Sequence, residues 1–302
     1  MKEYSFTVED EYIGERIDKC IALCLCDLSR SYVQKLISDG NILVNEHLIK
    51  PSYKVNEGDN VVVMTPDIVI PDILPEDIPL DILYEDSDVI IVNKPKGMVV
   101  HPAPGHYSGT LVNALMYHCK DQLSGINGVL RPGIVHRIDM NTTGSVIACK
   151  NDLAHESIAN QLKEHSIKRE YRAIVCGNLP NDEGVISTTI GRSANDRKKM
   201  AVNVSGGKRA VTHYSVIKRF DQYTYISCVL ETGRTHQIRV HMASIGHPVL
   251  GDDIYGNVKS PYKLCGQSLH AHILGFVHPR NNEYIETVAP LPDYFSHLLN
   301  IM

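Results

Sequence analysis

Met1–Asp10 alternates polar and apolar residues, and from near Tyr12 the pattern organises into a small unit. From Arg16 to Cys26, the residues Ile17, Ile21 and Cys24 recur at helical spacing, with Leu28 just beyond. Ser29 can cap a second helix, in which Val33, Leu36 and Ile37 form one apolar face until Asp39-Gly40 stops it. Ile42-Leu43-Val44 predicts a short strand, Asn45-Glu46 a turn, Glu57-Gly58-Asp59 a second turn, and Val61–Met64 another strand. These elements define a small unit over residues 12–64. The pattern then breaks. Residues 65–79 contain Pro66, Pro71, Pro75 and Pro79, a density that opposes both helix and central strand and predicts a semi-extended acidic linker.

Residues 80–302 read as one larger domain. Expected strands are Ile82–Tyr84, Val89–Asn93, Ser145–Lys150, Glu170–Cys176, Ala210–Ile217, Tyr223–Glu231 and Leu269–Phe276. Expected helices are Thr110–Cys119, Ala154–Lys163 and Thr235–Ser244, the last capped by Thr235 and stopped by Gly246. No fixed-period repeat occurs. The mixture predicts an α+β fold, built on a mixed, mainly antiparallel sheet with flanking helices.

Composition sharpens this picture in three places. With 302 residues, 43% of them hydrophobic, and no Trp, the chain can bury a core made largely of Ile, Val, Leu and Ala. Its longest apolar runs, such as Val89–Val92 and Val146–Cys149, are too short to cross a bilayer, and Met1–Asp10 has no apolar leader core. The expectation is a cytoplasmic protein with no membrane partner. The absence of a long heptad pattern suggests a monomer. Of the eight cysteines, Cys20, Cys24 and Cys26 lie in an apolar run without a nearby fourth ligand, and the others are scattered. Buried reduced thiols fit that spacing better than zinc or disulfides.

A net charge of −5 argues at first against a nucleic-acid partner. Eight acids and no Lys or Arg between Thr65 and Asn93 account for that balance. The segment Arg192–Arg209 carries Arg192, Arg197, Lys198, Lys199, Lys208 and Arg209 against Asp196 alone. Charge by itself predicts a solvated loop there, on which a polyanion could dock.

Three segments concentrate chemistry. In the first, Arg131–Gly144, Asp139 stands between basic residues and a Thr-Thr-Gly turn, just ahead of an apolar strand. A nearby Arg would hold such a carboxylate ionised, able to attack a sugar carbon or stabilise positive charge developing there. In the second, Lys168–Ala173, Tyr171 sits among basic residues, where it can pack, stack on a base or move a proton. In the third, Leu230–Met242, Arg234, His236, Gln237, Arg239 and His241 crowd a helix start, a setting that suits a phosphate or a carboxylate. Ile238 and Val240 imply that this turn packs inward, and a buried arginine needs a partner; Asp139 is the candidate. His241, His247, His270 and His272 lack ligand spacing, so no catalytic metal is expected, and no phosphate-loop or dinucleotide fingerprint follows a strand.

These segments together resemble the RluA-type pseudouridine synthases. His136-Arg137-Ile138-Asp139-Met140-Asn141-Thr142-Thr143-Gly144 matches that family's H-R-L-D-x-x-T-S-G, Lys168–Ala173 its tyrosine segment, and Leu230–His241 its L-x-T-G-R-T-H-Q-I-R-V-H. Val92–Pro102 and Gly246–Asp252 are further similar stretches. Glu15-Arg-Ile-Asp18 and Leu28–Ile37 resemble an S4 RNA-binding domain, and S4 plus this catalytic domain looks most like the synthase D group acting on large-subunit (23S) ribosomal RNA. Departures are Ile138 for Leu, Met140-Asn141 for a common charged pair, and Thr143 for Ser; none removes a catalytic group, but they bear on substrate choice.

The resemblance implies a cofactor-free isomerisation, with Asp139, Tyr171 and Arg239 as catalytic residues. It implies substrate contacts at Arg137, His136, Arg234, His236 and Gln237. Arg239 is the implied partner of Asp139, with Arg234 in reserve, and Arg137 would fill the space left by a flipped nucleotide. Arg30 and Lys35, on the second helix, are expected to face RNA phosphates. Rival readings are the same chemistry on transfer RNA, a nucleoside hydrolase, and a non-catalytic ribosome-assembly factor.

Overall fold

The computed structural model describes residues 2–66, 73–103, 106–120, 122–128, 130–194, 196, 199–256 and 260–302. The chain divides into two compact units, Met1–Pro71 and Asp72–Met302. The expected linker falls partly on residues 67–72, outside the described residues.

The first unit runs β1 (Lys2–Thr7), α1 (Ile17–Cys24), α2 (Arg30–Ser38), β2 (Ile42–Val44), β3 (His47–Leu48) and β4 (Asn60–Thr65). Ser29 caps α2, its hydroxyl accepting from the Tyr32 amide. Asn45 and Glu46 both take positive φ in the tight turn between β2 and β3. The strands pair antiparallel in the order β1-β4-β2-β3. Ile17, Ile21, Val33, Leu36, Ile42, Val61 and Val63 form the core. Tyr4 and Phe6 of β1 pack on that core, so the alternation before Tyr12 belongs to a strand.

The second unit contains β5 (Ile82–Glu85), β6 (Val89–Lys94), α3 (Leu111–Cys119), β7 (Thr143–Cys149), α4 (Asp152–Lys163), β8 (Lys168–Cys176) and β9 (Glu183–Arg192). It continues with β10 (Met200–Val202), β11 (Lys208–Arg219), β12 (Tyr223–Leu230), α5 (Gln237–Ser244), β13 (Leu269–Val277), β14 (Tyr284–Val288) and α6 (Asp293–Ile301). Among the described residues these strands form one ten-stranded sheet, ordered β10-β9-β11-β12-β8-β13-β7-β6-β5, with β14 also on β13. Only β13 and β7 pair parallel; the other pairings are antiparallel.

Strand β8 shows how the sheet separates its faces. Tyr171, Ala173 and Val175 join Ile238 and Met242 of α5 on one side, while Ile174 and Cys176 meet Phe295 and Leu298 of α6 on the other. Helix α4 covers Val89, Ile91 and Ile147 with Ala154 and Ile158. All eight cysteines are unpaired, and five are buried. Among the described residues no helix is long and apolar enough to cross a membrane.

Two sequence expectations need correction. The basic stretch expected as a loop carries strand β10, hydrogen-bonded to β9, and Lys208 and Arg209 open β11; its Arg197 and Lys198 lie outside the described residues. Its charges hid a short alternating segment. Thr235 does not cap α5: His236 does, in left-handed conformation (φ 56°) and without a side-chain cap.

Candidate active site

The parallel pairing of β7 with β13 sets the position of Asp139. At Gly144 (φ 107°) an added Cβ would overlap the backbone of Ala271, so the Thr-Thr-Gly turn ends in the one residue that lets the two strands meet. The turn is pinned on every side. His270 Nδ1 lies 2.8 Å from the Thr143 hydroxyl. Gln267 donates to the Thr142 hydroxyl (2.9 Å), and the Thr142 amide donates to the Asp139 carbonyl (3.0 Å).

Lys94 supports the same loop from beneath. Its buried ammonium donates to the carbonyls of Pro95, Met98 and Met140. Burial pulls its pKa down to about 7, against the nearby charge of Asp139. Three carbonyl acceptors for three N–H groups are the bonding of an ammonium, so the protonated form fits this site.

Asp139 then faces a cleft of about 500 Å³ with one oxygen engaged. Arg239 Nη1 donates to Oδ2 at 2.8 Å. Arg239 is itself only 3% exposed, and its Nε and Nη2 make paired bonds to Asp252 at 2.7 and 2.8 Å. Burial would lower the guanidinium pKa, but bonding to Asp252 and the charge of Asp139 raise it overall. Burial would likewise raise Asp252, yet Arg239 outweighs that and holds it below the usual carboxylate range. Arg239 is therefore a fixed cation, and Asp252 fixes it. Arg234 makes no such contact; its Nε donates to the Arg209 carbonyl.

The second oxygen, Oδ1, lies 3.8 Å from His236 Nε2. The imidazole tautomer follows from its other nitrogen. The Tyr255 hydroxyl accepts from the Met200 amide, leaving its own proton for His236 Nδ1 at 2.9 Å. In that tautomer Nε2 carries the hydrogen and faces Asp139. Burial lowers the His236 pKa, partly offset by Asp139, which favours the neutral ring. Tyr171 lines the cleft from β8, and burial raises its pKa, so the phenol keeps its proton at neutral pH.

Other expected substrate contacts have further employment. Gln237 spends all four amide bonds internally: its oxygen accepts from Thr232 Oγ1 and the Arg234 amide, and its nitrogen donates to the Val211 carbonyl and Thr212 Oγ1. It locks the turn before α5 against β11 at the wall of the cleft. His136 Nε2 accepts from the Ile147 amide, and burial with the Arg169 charge lowers its pKa to about 4. Arg137 is exposed, its Nη1 3.4 Å from His101 Nε2. In the first unit, Lys35 is exposed, whereas Arg30 joins Arg16 and Gln34 in donating to buried Asp18.

Sequence reasoning gave no role to Asp252, Lys94, Tyr255, His270 or Gln267. Asp252 did lie in a stretch of family resemblance, and Lys94 in another, but the partners of these five residues lie up to 127 residues away in the chain. Elsewhere, Asp86, Asp88 and His278 approach one another closely enough to suggest a cation. Their acceptors are taken by Arg280, Asn151, Tyr84 and backbone amides, which makes the group a latch between strands.

A carboxylate with one oxygen facing the cleft, a protonated phenol and an imidazole can together support bond cleavage and proton movement. The sequence pattern of the RNA pseudouridylate synthases matches residues 88–244, and that of the S4 domain residues 15–61. The chain belongs to the RNA pseudouridine synthase family and is thus an isomerase. Within that family it is of the RluA type and carries an S4 RNA-binding domain. The RNA pseudouridine synthase YlyB of Bacillus subtilis is 52% identical over 299 residues, covering 99% of this chain and 98% of its own. The ribosomal large subunit pseudouridine synthase D of Zymomonas mobilis is 45% identical over 309 residues, covering 98% and 96%. Among solved structures, human RNA pseudouridylate synthase domain containing 1 aligns with a TM-score of 0.58 and 25% identity, over 74% of this chain and 94% of that one.

Proposed function

We propose that this protein isomerises selected uridines of large-subunit (23S) ribosomal RNA to pseudouridine, with Asp139 starting the reaction. The observation that carries the reading is the division of labour at that carboxylate: Oδ2 is held by Arg239 and Oδ1 is open to the cleft. The reaction breaks the N1–C1′ bond, turns the detached uracil, and joins C5 to C1′. N1 gains a proton and C5 loses one, with no net redox change. Attack on C1′ and removal of the 2′ proton both begin at a free carboxylate oxygen, and Oδ1 serves either.

Arg239 is the positioning residue, keeping the carboxylate ionised and aimed. Tyr171 contacts the uracil from β8; its protonated phenol hydrogen-bonds the base and moves a proton once Asp139 has reacted. The neutral His236, with Nε2–H toward Asp139, is a donor to the negative charge that develops on the departing uracil. Arg137, exposed at the cleft, fills the stack that the extruded nucleotide leaves.

The ribosomal assignment draws on relatives bearing the name ribosomal large subunit pseudouridine synthase D at 40–45% identity, and on the S4 domain as a second RNA contact that raises effective concentration. The test is competitive. Large-subunit ribosomal RNA, small-subunit ribosomal RNA and bulk transfer RNA are incubated with the protein and mapped for new pseudouridine. Product confined to large-subunit RNA is expected; product in transfer RNA alone would overturn the assignment while leaving the chemistry intact.

A further inference from the structure

One buried cation in the cleft has no anion among the described residues. Arg169 stands on β8 two residues before Tyr171, so both side chains project from the same face into the cleft. It is 7% exposed. Nη2 donates to the Glu231 carbonyl at 3.0 Å, and Nε is buried with no hydrogen-bond partner. Among the described residues no carboxylate pairs with it. The Glu231 carboxylate is bound by Arg209 and His213, and that of Asp139 by Arg239. Burial lowers the Arg169 pKa and Arg234 adds repulsion, a direction opposite to Arg239, which has two carboxylates.

The chain makes deliberate room for this guanidinium. A Cβ on Gly233 would come within 2.6 Å of Arg169 Nη1, and no positive φ explains the glycine. Glycine at 233 thus leaves the guanidinium its present position.

A buried guanidinium held without a counterion is costly unless its partner arrives from outside. We propose that Arg169 is an anion subsite for the RNA, binding a phosphodiester that flanks the uridine entering the cleft. Lys163, His165 and Arg234 line the same cleft, and its one lining acid, Asp139, is already paired. Uracil is neutral and needs single donors. A phosphodiester supplies charge and two non-bridging oxygens that match the guanidinium fork. The inference rests on the reading that the target uridine reacts at Asp139.

The test uses a large-subunit RNA fragment that the wild-type protein modifies, prepared with single methylphosphonates at each phosphate flanking the target. One position should weaken wild-type binding about 10-fold. Arg169→Met should lose the same factor on unmodified RNA, lose nothing further on that methylphosphonate, and show a salt slope smaller by about 0.7. Arg169→Lys should recover part of the loss. Without RNA, Arg169→Met should melt no lower than wild type, because the charge it removes was unpaired.

Losses that add at every position, or an RNA-free variant that melts lower with unchanged RNA affinity, would make Arg169 structural and overturn the proposal. So would a wild-type protein indifferent to every flanking methylphosphonate. Failure of the wild type to modify unmodified RNA would instead overturn the reading of the cleft itself, and this inference with it.

Discussion

Each of the two units holds a carboxylate in a fork of arginine, and they do so in opposite senses. In the first unit the acid is buried: Asp18 has a side-chain exposure of 0%, and Arg16 and Arg30, which bind it, are 44% and 50% exposed. In the second unit the base is buried: the Arg239 side chain is 4% exposed, and that of Asp139, which it binds, is 19% exposed. The buried partner is the fixed one and the exposed partner is the one presented. Asp18 thereby presents guanidinium edges to solvent, as suits RNA phosphates, whereas Arg239, anchored by Asp252, presents a carboxylate oxygen, as suits chemistry at a sugar. On the proposed reading, the same kind of ion pair serves binding in one unit and catalysis in the other, according to which half is desolvated.

The comparison breaks most visibly when the arginines are truncated. Arg239→Met leaves Asp252 buried and unpaired, so it should cost about 3–5 kcal/mol of stability in the second unit and abolish product formation. Arg30→Met should move the melting midpoint by no more than about 2 °C, since Asp18 keeps Arg16 and Gln34. Calorimetry of both variants checks this; equal losses would erase the distinction. A smaller effect is expected from Asp252→Asn. Arg239 keeps Asp139 but loses its anchor, so kcat should fall about 10–100-fold with little change in KM.

Acid sharpens the contrast without mutation. Burial lowers His136, His241 and His270 from 6.5 to about 4, so the folded second unit binds fewer protons than its unfolded chain in that interval. Its stability should fall as pH drops from about 6.5 toward 4. Burial would raise Asp18, but bonds from Arg16, Gln34 and Arg30 outweigh it and hold the carboxyl well below the usual range. Its contribution is present above the ordinary value of 3.8 and is lost only below it. Hydrogen-exchange protection measured through this range should decline first in the second unit. Arg30→Ala with Lys35→Ala should have the mildest consequence: binding to RNA weakens and its salt slope flattens by about 1–2, with the isomerisation step unchanged once RNA is bound. An unchanged slope would remove the first unit's arginines from the RNA contact.

Much of this was legible in the chain. Strong periodicity gave the two helices of the first unit, and α3, α4 and most central strands of the second. Asp139 stood out between basic residues ahead of an apolar strand, Tyr171 among basic residues and Arg239 between Ile238 and Val240, and the family resemblance joined the three as a catalytic set. Strands β9 and β14 and helix α6 were missed; β9 and β14 expose much of their length, and β14 is only five residues long. Gln237, an amide among cations, drew the eye as a ligand, and the sequence did not show that its four partners come from β11 and the preceding turn. Asp252 and Arg169 were silent for the same reason. What distinguishes them is the presence or absence of a counterion, and pairing across the fold leaves no local mark.

The central claim is that the free oxygen of Asp139 starts the isomerisation. Its most direct test is pseudouridine mapping on large-subunit ribosomal RNA incubated with wild type and with Asp139→Asn, which preserves shape and an oxygen for Arg239. New pseudouridine with the wild type, and a rate at least about 10³-fold lower with a variant that still binds the RNA, is the predicted result. A variant that forms product within about 10-fold of the wild-type rate would contradict it.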